Sequence, residues 1–303
     1  MLSHNYDYKS TLETSQRVNW KLDDVIAGRT LDFTKPFLPD SLVGVNRIGC
    51  LSADDKLVLN HIRGFTYLFL FGFIEEYIVP FNIDHARTTV HGDDHELRAI
   101  LHFTEEEAKH IQMFKWFVSE FRRSFTTPCE TIGPVSEVVP AILAHSRLGV
   151  AITTLCVEWM SQRHYVDGIK NANNLDPLFT SMLEHHWLEE AQHAKLDTLM
   201  VEKLAAGLSP AEIDSCVDDF IAIGKMLDGA LQQQARFDID SLATALGRTF
   251  TDAEAEEIVA IQIKSYRWTF LASGMTHPNF EKTLRELAPK GHGRVAELVK
   301  ALM

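Results

Sequence analysis

Glu107-Ala-Lys-His110 and Glu190-Ala-Gln-His193 each place a carboxylate and an imidazole three residues apart. On a helix that spacing puts both groups on one face. One such pair is weak, because helix surfaces are rich in Glu and a His turns up by chance. Two pairs on separate helices match the donor set of a dimetal centre. In a helical bundle such a centre also takes one Glu from each of two further helices. Glu158 is the only acid between Val138 and Asp167, and it stands in the apolar run AITTLCVEWM. An ionised carboxylate there is costly without a partner, and a metal supplies one.

The remaining Glu is Glu75 or Glu76. Lys56, Asn60 and Arg63 mark a solvent face for their helix. At about 100° per residue, Glu76 lies roughly 200°, 160° and 220° from those three, and Glu75 only about 100°, 60° and 120°. Glu76 is therefore expected to point inward, with Gly72 leaving space one turn earlier, and Glu75 is the fallback. Four carboxylates would balance two divalent ions, with neutral imidazoles completing the coordination. Such a donor set suits iron or manganese better than zinc, which prefers fewer ligands in a tetrahedron. Without metal, four carboxylates in a poorly solvated core would have to take up protons or cost stability.

His186 lies four residues before Glu190, so the helix reads HxxxExxH and His186 is a candidate third imidazole; His185 falls about 100° to one side. Asp197, four residues after His193, is placed to accept a hydrogen bond from a ligand imidazole, or to be a surface acid near the helix end. Thr154 lies one turn before Glu158, and Phe103, Phe114 and Phe117 share the face of Glu107 and His110. They could wall a pocket, although such stripes are more often plain core. HGDDH at 91–95 looks metal-like but sits at a helix start, where Asp93 or Asp94 serves as the cap.

These residues need long helices to hold them. The patterning predicts an all-α chain with helices over 53–79, 94–124, 138–169, 176–206, 210–235 and 251–275, and two short pieces after Pro278. Asp93 with Glu96, Ser209 with Pro210 and Glu212, and Thr251 with Glu254 are start signals, while Pro80, Gly168 and Gly207 are stops. The first four helices run near 25 to 30 residues, and one of 27 spans about 40 Å. They read as a four-helix bundle over 53–206 within a single domain, with an irregular arm over 1–52 and accessory helices over 207–303.

The whole chain has 303 residues, with 42 acids against 29 bases and a net charge of -13. That excess speaks against nucleic acid and against anionic membranes. The length is enough to bury a large core without staples. Cys50, Cys129, Cys156 and Cys216 form no CxxC pair, which excludes a zinc ribbon or thioredoxin-like motif and makes a reducing cytoplasm the expected location. The N-terminus has no apolar core of a signal peptide, and Phe65–Phe73 is too short to span a membrane.

The order lone Glu, ExxH, lone Glu, ExxH over residues 53–206 resembles the ferritin-like di-iron carboxylate superfamily. Within it, HxxxExxH on the last helix is similar to the p-aminobenzoate N-oxygenase family. That resemblance implies seven ligands, Glu76, Glu107, His110, Glu158, His186, Glu190 and His193, holding two irons that activate O2 to oxidise an amine nitrogen or, in relatives, a carbon. Ferritins are normally shorter, rubrerythrins carry a CxxC iron site, and ribonucleotide reductase small subunits use Asp on the first helix. Residues 1–50 and 207–303 match no motif, so the resemblance does not reach the substrate.

The expected function is thus a di-iron oxygenase acting on a small organic molecule, with O2 as co-substrate and manganese or a mixed Fe/Mn pair as the other metal options. Lacking CxxC and nucleotide-binding glycines, it would draw electrons from a separate reductase, and by analogy it would be a homodimer. The competing readings are a ferroxidase that handles iron without organic substrate, a dimetal hydrolase needing no O2, and a bundle that keeps its ligands for structure alone.

Overall fold

Four helix starts set the frame. A capping box of Ser52 and Asp55 opens α4 (Ala53–Thr89), and Asp93 caps α5 (Asp94–Ser124). Ser146 caps α7 (Arg147–Arg163), and Asp176 caps α8 (Pro177–Ala205), whose first residue is a proline. In each, a side-chain oxygen accepts from a backbone N–H that the helix itself leaves unpaired. The computed structural model describes residues 2–303 and contains no strand among them. The all-α expectation therefore holds. In the bundle α4 packs along α5 and α7 along α8.

The stretch of α4 from Leu59 to Ile78 is buried on nearly every side. By length and composition this helix could cross a membrane, with a mean hydropathy of 1.4, but 83% of that window is buried inside the protein. A helix that is apolar all round belongs in a core. Its covers come from both ends of the chain. The N-terminal segment contains α1 (Tyr8–Val18), α2 (Leu22–Ile26) and α3 (Asp40–Val43), so the irregular arm expected over 1–52 is partly helical. α1 lies across α5 and α8. On the other side, α9 (Pro210–Leu246) packs on α7 and α4, and α10 (Asp252–Arg267) packs on α9.

Three boundaries depart from expectation. α4 continues past Pro80 to Thr89. An internal proline removes one hydrogen bond and costs about 3 kcal/mol. Phe81, Asn82, His85, Ala86 and Thr89 beyond it are all buried, and their packing carries the helix on. The expected helix over 138–169 is broken: α6 (Val135–Leu143) meets α7 at a bend of 120°. α7 then widens into a π-turn over His164–Ile169, near the Gly168 stop. α9 runs on to Leu246 and ends at Gly247, which takes the left-handed conformation with φ 59°. The expected boxes at Ser209–Glu212 and Thr251–Glu254 both form. That between Asp93 and Glu96 does not: Asp93 accepts from His95, while Glu96 turns inward to Lys203.

After α10 a second π-turn (Trp268–Ala272) leads into α11 (Ser273–Met275), and α12 (Pro278–Leu287) and α13 (Pro289–Leu302) close the chain. α11 lies so near α7 that a Cβ at Gly274 would stand 2.5 Å from the Cys156 carbonyl oxygen. Only glycine fits there. This close approach ties the C-terminal helices to the helix that carries Glu158.

Candidate metal centre

Midway along the bundle, α4 contributes Glu75, α5 Glu107 and His110, α7 Glu158, and α8 His186, Glu190 and His193. All seven are buried. Two sets of four ligand atoms stand out, each with every atom within 4.8 Å of the others. One comprises Glu75, His110, His186 and Glu190, and the other Glu107, His110, Glu190 and His193. They share His110 and Glu190. A single oxygen, Glu190 Oε1, lies 3.2 Å from His110 Nδ1, 3.1 Å from His186 Nε2 and 3.3 Å from His193 Nδ1. Glu158 is beside these sets rather than in either, where burial and the charges of Glu190 and Glu107 act on it.

Glu76 is not there. Its side chain is 29% exposed and pairs with Lys115 at 2.7 Å on the outside of the bundle. Glu75, 3% exposed, takes the place expected of it, with Oε1 3.2 Å from His186 Nε2. The angular frame fails because two of its markers are not solvent residues. Asn60 is buried and accepts from the backbone N–H of Phe37 and Leu38 in the arm. Arg63 is buried, donates to Gln262 on α10 and lies 3.3 Å from the centroid of the Tyr266 ring. The face they mark is covered by the arm and α10, so it is no guide to where solvent lies. Gly72 likewise serves another purpose: a Cβ there would meet Phe114 at 3.3 Å.

The outer nitrogens of two imidazoles are held in a reciprocal way. His110 Nε2 is 2.8 Å from Glu189 on α8, and His193 Nε2 is 3.0 Å from Glu106 on α5. Each helix thus offers Glu-Glu-Ala-x-His, in which the second Glu and the His face the cluster and the first Glu grips the partner helix's His. The identical EEA in both segments was the signal for Glu106 and Glu189 that an ExxH search passes over. The arm steadies both acids. Ser15 donates to Glu106 at 2.7 Å, Lys109 bonds Glu189, Asn19 and the Trp20 carbonyl, and Trp20 stacks over His110. Ligating histidines characteristically donate their second N–H to such a carboxylate, which fixes ring and tautomer.

The donor set fits two metal ions. Glu75 Oε2, both oxygens of Glu107, Glu158 Oε2, Glu190 Oε1 and the Nδ1 atoms of His110 and His193 are buried with no hydrogen-bond partner of acceptable geometry. So many orphaned donors and acceptors converging in a core are costly unless something binds them. Protonation answers the same demand in the metal-free protein. Burial opposes charge on His110, yet the surrounding carboxylates of Glu107, Glu189 and Glu190 hold it well above the usual imidazole range. Burial likewise opposes charge on His193, and the charges of Glu190 and Glu107 overcome it. Burial, with the charge of Glu190, raises Glu158. Burial pushes His186 down to about 4, so it is neutral and ready to ligate.

The outlying expectations divide. Asp197 is fully buried with both oxygens unpartnered, which rules out a surface acid. It makes no bond to His193, and burial raises its carboxyl. Thr154 is buried and donates to the Val150 carbonyl, with the Tyr77 hydroxyl 3.5 Å away. Phe103 stacks on His193 at 4.0 Å between centroids, Phe114 meets His186 edge-on at 5.2 Å, and Phe117 is core. The HGDDH segment is largely exposed and only caps α5.

If the reciprocal grip sets imidazole orientation, Glu106→Gln and Glu189→Gln will each weaken metal binding by about 10- to 100-fold while leaving the helix content unchanged. Competition with a chromophoric chelator measures this, and unchanged affinity in both variants would remove the grip from the metal's support.

No curated protein matches the sequence. Among solved structures, an R2-like ligand-binding oxidase with an aerobically reconstituted Mn/Fe cofactor is 15% identical over 88% of this chain and 92% of its own, with a TM-score of 0.44. A variant of such an oxidase with an anaerobically reconstituted Mn/Fe cofactor is similar at 15% identity, 88% and 93% coverage and a TM-score of 0.45. The family model of the p-aminobenzoate N-oxygenase AurF matches residues 73–230, more than half the chain and the whole stretch from Glu75 to His193. With its seven buried donors all inside that match, the chain belongs to the p-aminobenzoate N-oxygenase AurF family and is a non-haem dimetal oxidoreductase.

Proposed function

We propose that this protein is a di-iron oxygenase that oxidises a small organic molecule at an amine nitrogen, with Glu75, Glu107, His110, Glu158, His186, Glu190 and His193 as the seven ligands. The observation that carries the reading is the placement of Glu190 Oε1 within 3.3 Å of three imidazole nitrogens, at the junction of two four-residue sets. Two bound ferrous ions would supply the electrons and open coordination positions for reducing O2. The protein's own part is to hold, orient and dry. Glu106 and Glu189 fix the His193 and His110 rings. Phe71, Phe103 and Phe114 wall the imidazoles and exclude water. Four carboxylates with three imidazoles, more ligands than tetrahedral zinc takes, favour iron or manganese over zinc, and iron is the choice for O2 chemistry. A separate reductase would return the electrons. Exposed Ile83 on α4, Val90 just past its end and Leu101 on α5 support a homodimer, which a sedimentation mass of one chain would overturn.

The test is anaerobic loading with ferrous iron followed by mixing with O2. Two irons per chain, a transient visible band, and faster decay of that band with an arylamine are expected. A band indifferent to every amine removes the N-oxygenation. Rapid iron turnover with no organic substrate would make the protein a ferroxidase, and substrate hydrolysis with redox-inert metal and no O2 would make it a hydrolase.

A further inference from the structure

On the side of α4 and α7 away from α5 lies a cavity of about 260 Å³. Ile74 and Val157 line it, and they immediately precede Glu75 and Glu158 in the cluster. Tyr77 and Thr153 complete the floor, and Leu231 of α9 and Ile142 of α6 close the sides. The cavity therefore shares two helices with the metal centre. It is smaller than the roughly 300–1,000 Å³ of sites for drug-sized ligands, so its occupant is about one substituted ring.

Its chemistry is one-sided. No Lys, Arg or His is among the lining residues, and the sole charged one is Glu137, exposed at the rim. Glu137 has no ion-pair partner among the described residues, so nothing cancels its charge. Thr153 spends its hydroxyl on the Gly149 carbonyl. A carboxylate entering this space would lose its water, gain no cation and meet a like charge. Lys115 lines a different groove, between α4 and α5, and is tied there to Glu76.

We propose that this cavity is the substrate site and that it takes an uncharged, apolar, single-ring amine while excluding carboxylates, p-aminobenzoate among them. The inference rests on the oxygenase reading for the word substrate. Its binding claim stands separately. A neutral arylamine gains from apolar burial at no cost in charge, and it brings to the cluster's flank the nitrogen that the proposed chemistry oxidises.

The experiment uses the iron-loaded protein under argon and equilibrium dialysis with 4-ethylaniline, ethyl 4-aminobenzoate and 4-aminobenzoate. The expected result is binding of at least one neutral amine at least tenfold tighter than the acid. Ala230→Trp and Ala141→Trp fill the cavity from two different helices, so misfolding of one leaves the other informative. Each folded variant should lose neutral-amine binding at least tenfold. Glu137→Lys should narrow the preference over the acid. Binding of the acid as tight as that of the amines, failure of both amines to bind, or amine binding unchanged in a folded tryptophan variant overturns the proposal. Amines that bind here but are never oxidised on adding O2 and reductant would instead defeat the oxygenase reading and leave the binding site in place.

Discussion

Glu75→Ala will leave the protein with one tightly held metal ion per chain, whereas Glu76→Ala will keep two. The two residues are neighbours in sequence and opposite in environment. Glu75 sits in one four-residue set with His110, His186 and Glu190, and its Oε2 is buried without any partner. Removing it leaves that set with two imidazoles and the shared Glu190, so one ion loses a charged ligand that nothing nearby replaces. The set of Glu107, His110, Glu190 and His193 keeps every member. Loss of one ion should lower turnover by at least 100-fold if both metals are needed, because no single ion then holds the whole reacting assembly. Glu76 forms only a half-exposed pair with Lys115. Such pairs contribute roughly 0–1 kcal/mol, so its loss should be silent in metal content and nearly so in stability. Metal analysis of dialysed, anaerobically loaded protein checks both variants together. Two ions retained in Glu75→Ala, or one lost in Glu76→Ala, would return the assignment to the adjacent residue.

That contrast shows what the sequence discloses and where it stops. Spacing was enough for His110 and Glu107, and for His186, Glu190 and His193, because residues three and four apart on one helix share a face whatever surrounds it. The bundle and the lone inward Glu158 were legible for a similar reason, since a single acid in an apolar run needs an explanation wherever it folds. Choosing between Glu75 and Glu76 needed an outside reference. Asn60 and Arg63 supplied a false one, because polar side chains there bond the arm and α10 rather than water. No local pattern in α4 foretells that residues beyond 207 will cover it. The passage of α4 through Pro80 is of the same kind, settled by burial of Phe81, Asn82 and His85 from other helices. Glu106 and Glu189 differ: two copies of EEA were visible, but the reciprocal grip appears only once α5 and α8 are set side by side.

Metal loading at neutral pH should release about two to three protons per chain, and affinity should rise steeply with pH. In the metal-free protein His110 and His193 are held charged, above the ordinary imidazole value, by the carboxylates around them, and burial keeps a proton on Glu158 as well. Ligation needs the Nδ1 atoms and the carboxylate bare, so each ion must displace these protons. His186, pushed down to about 4, has none to give. Two to three protons displaced correspond to a product of the two binding constants rising by about 100- to 1,000-fold per pH unit near neutrality. Stability of the metal-free protein should move the other way. A histidine raised in the folded state contributes stability that is fully present below its unfolded value of 6.5 and is lost as pH rises through the folded one. Metal-free protein should thus melt at a lower temperature at pH 9 than at pH 6. The loaded protein should instead lose its ions, and with them its extra stability, as the pH falls. Calorimetric titration in buffers of different ionisation enthalpy counts the protons directly. A count of zero, with affinity flat between pH 6 and 8, would mean that protons do not occupy the ligand positions and that the cluster is held together in some other way.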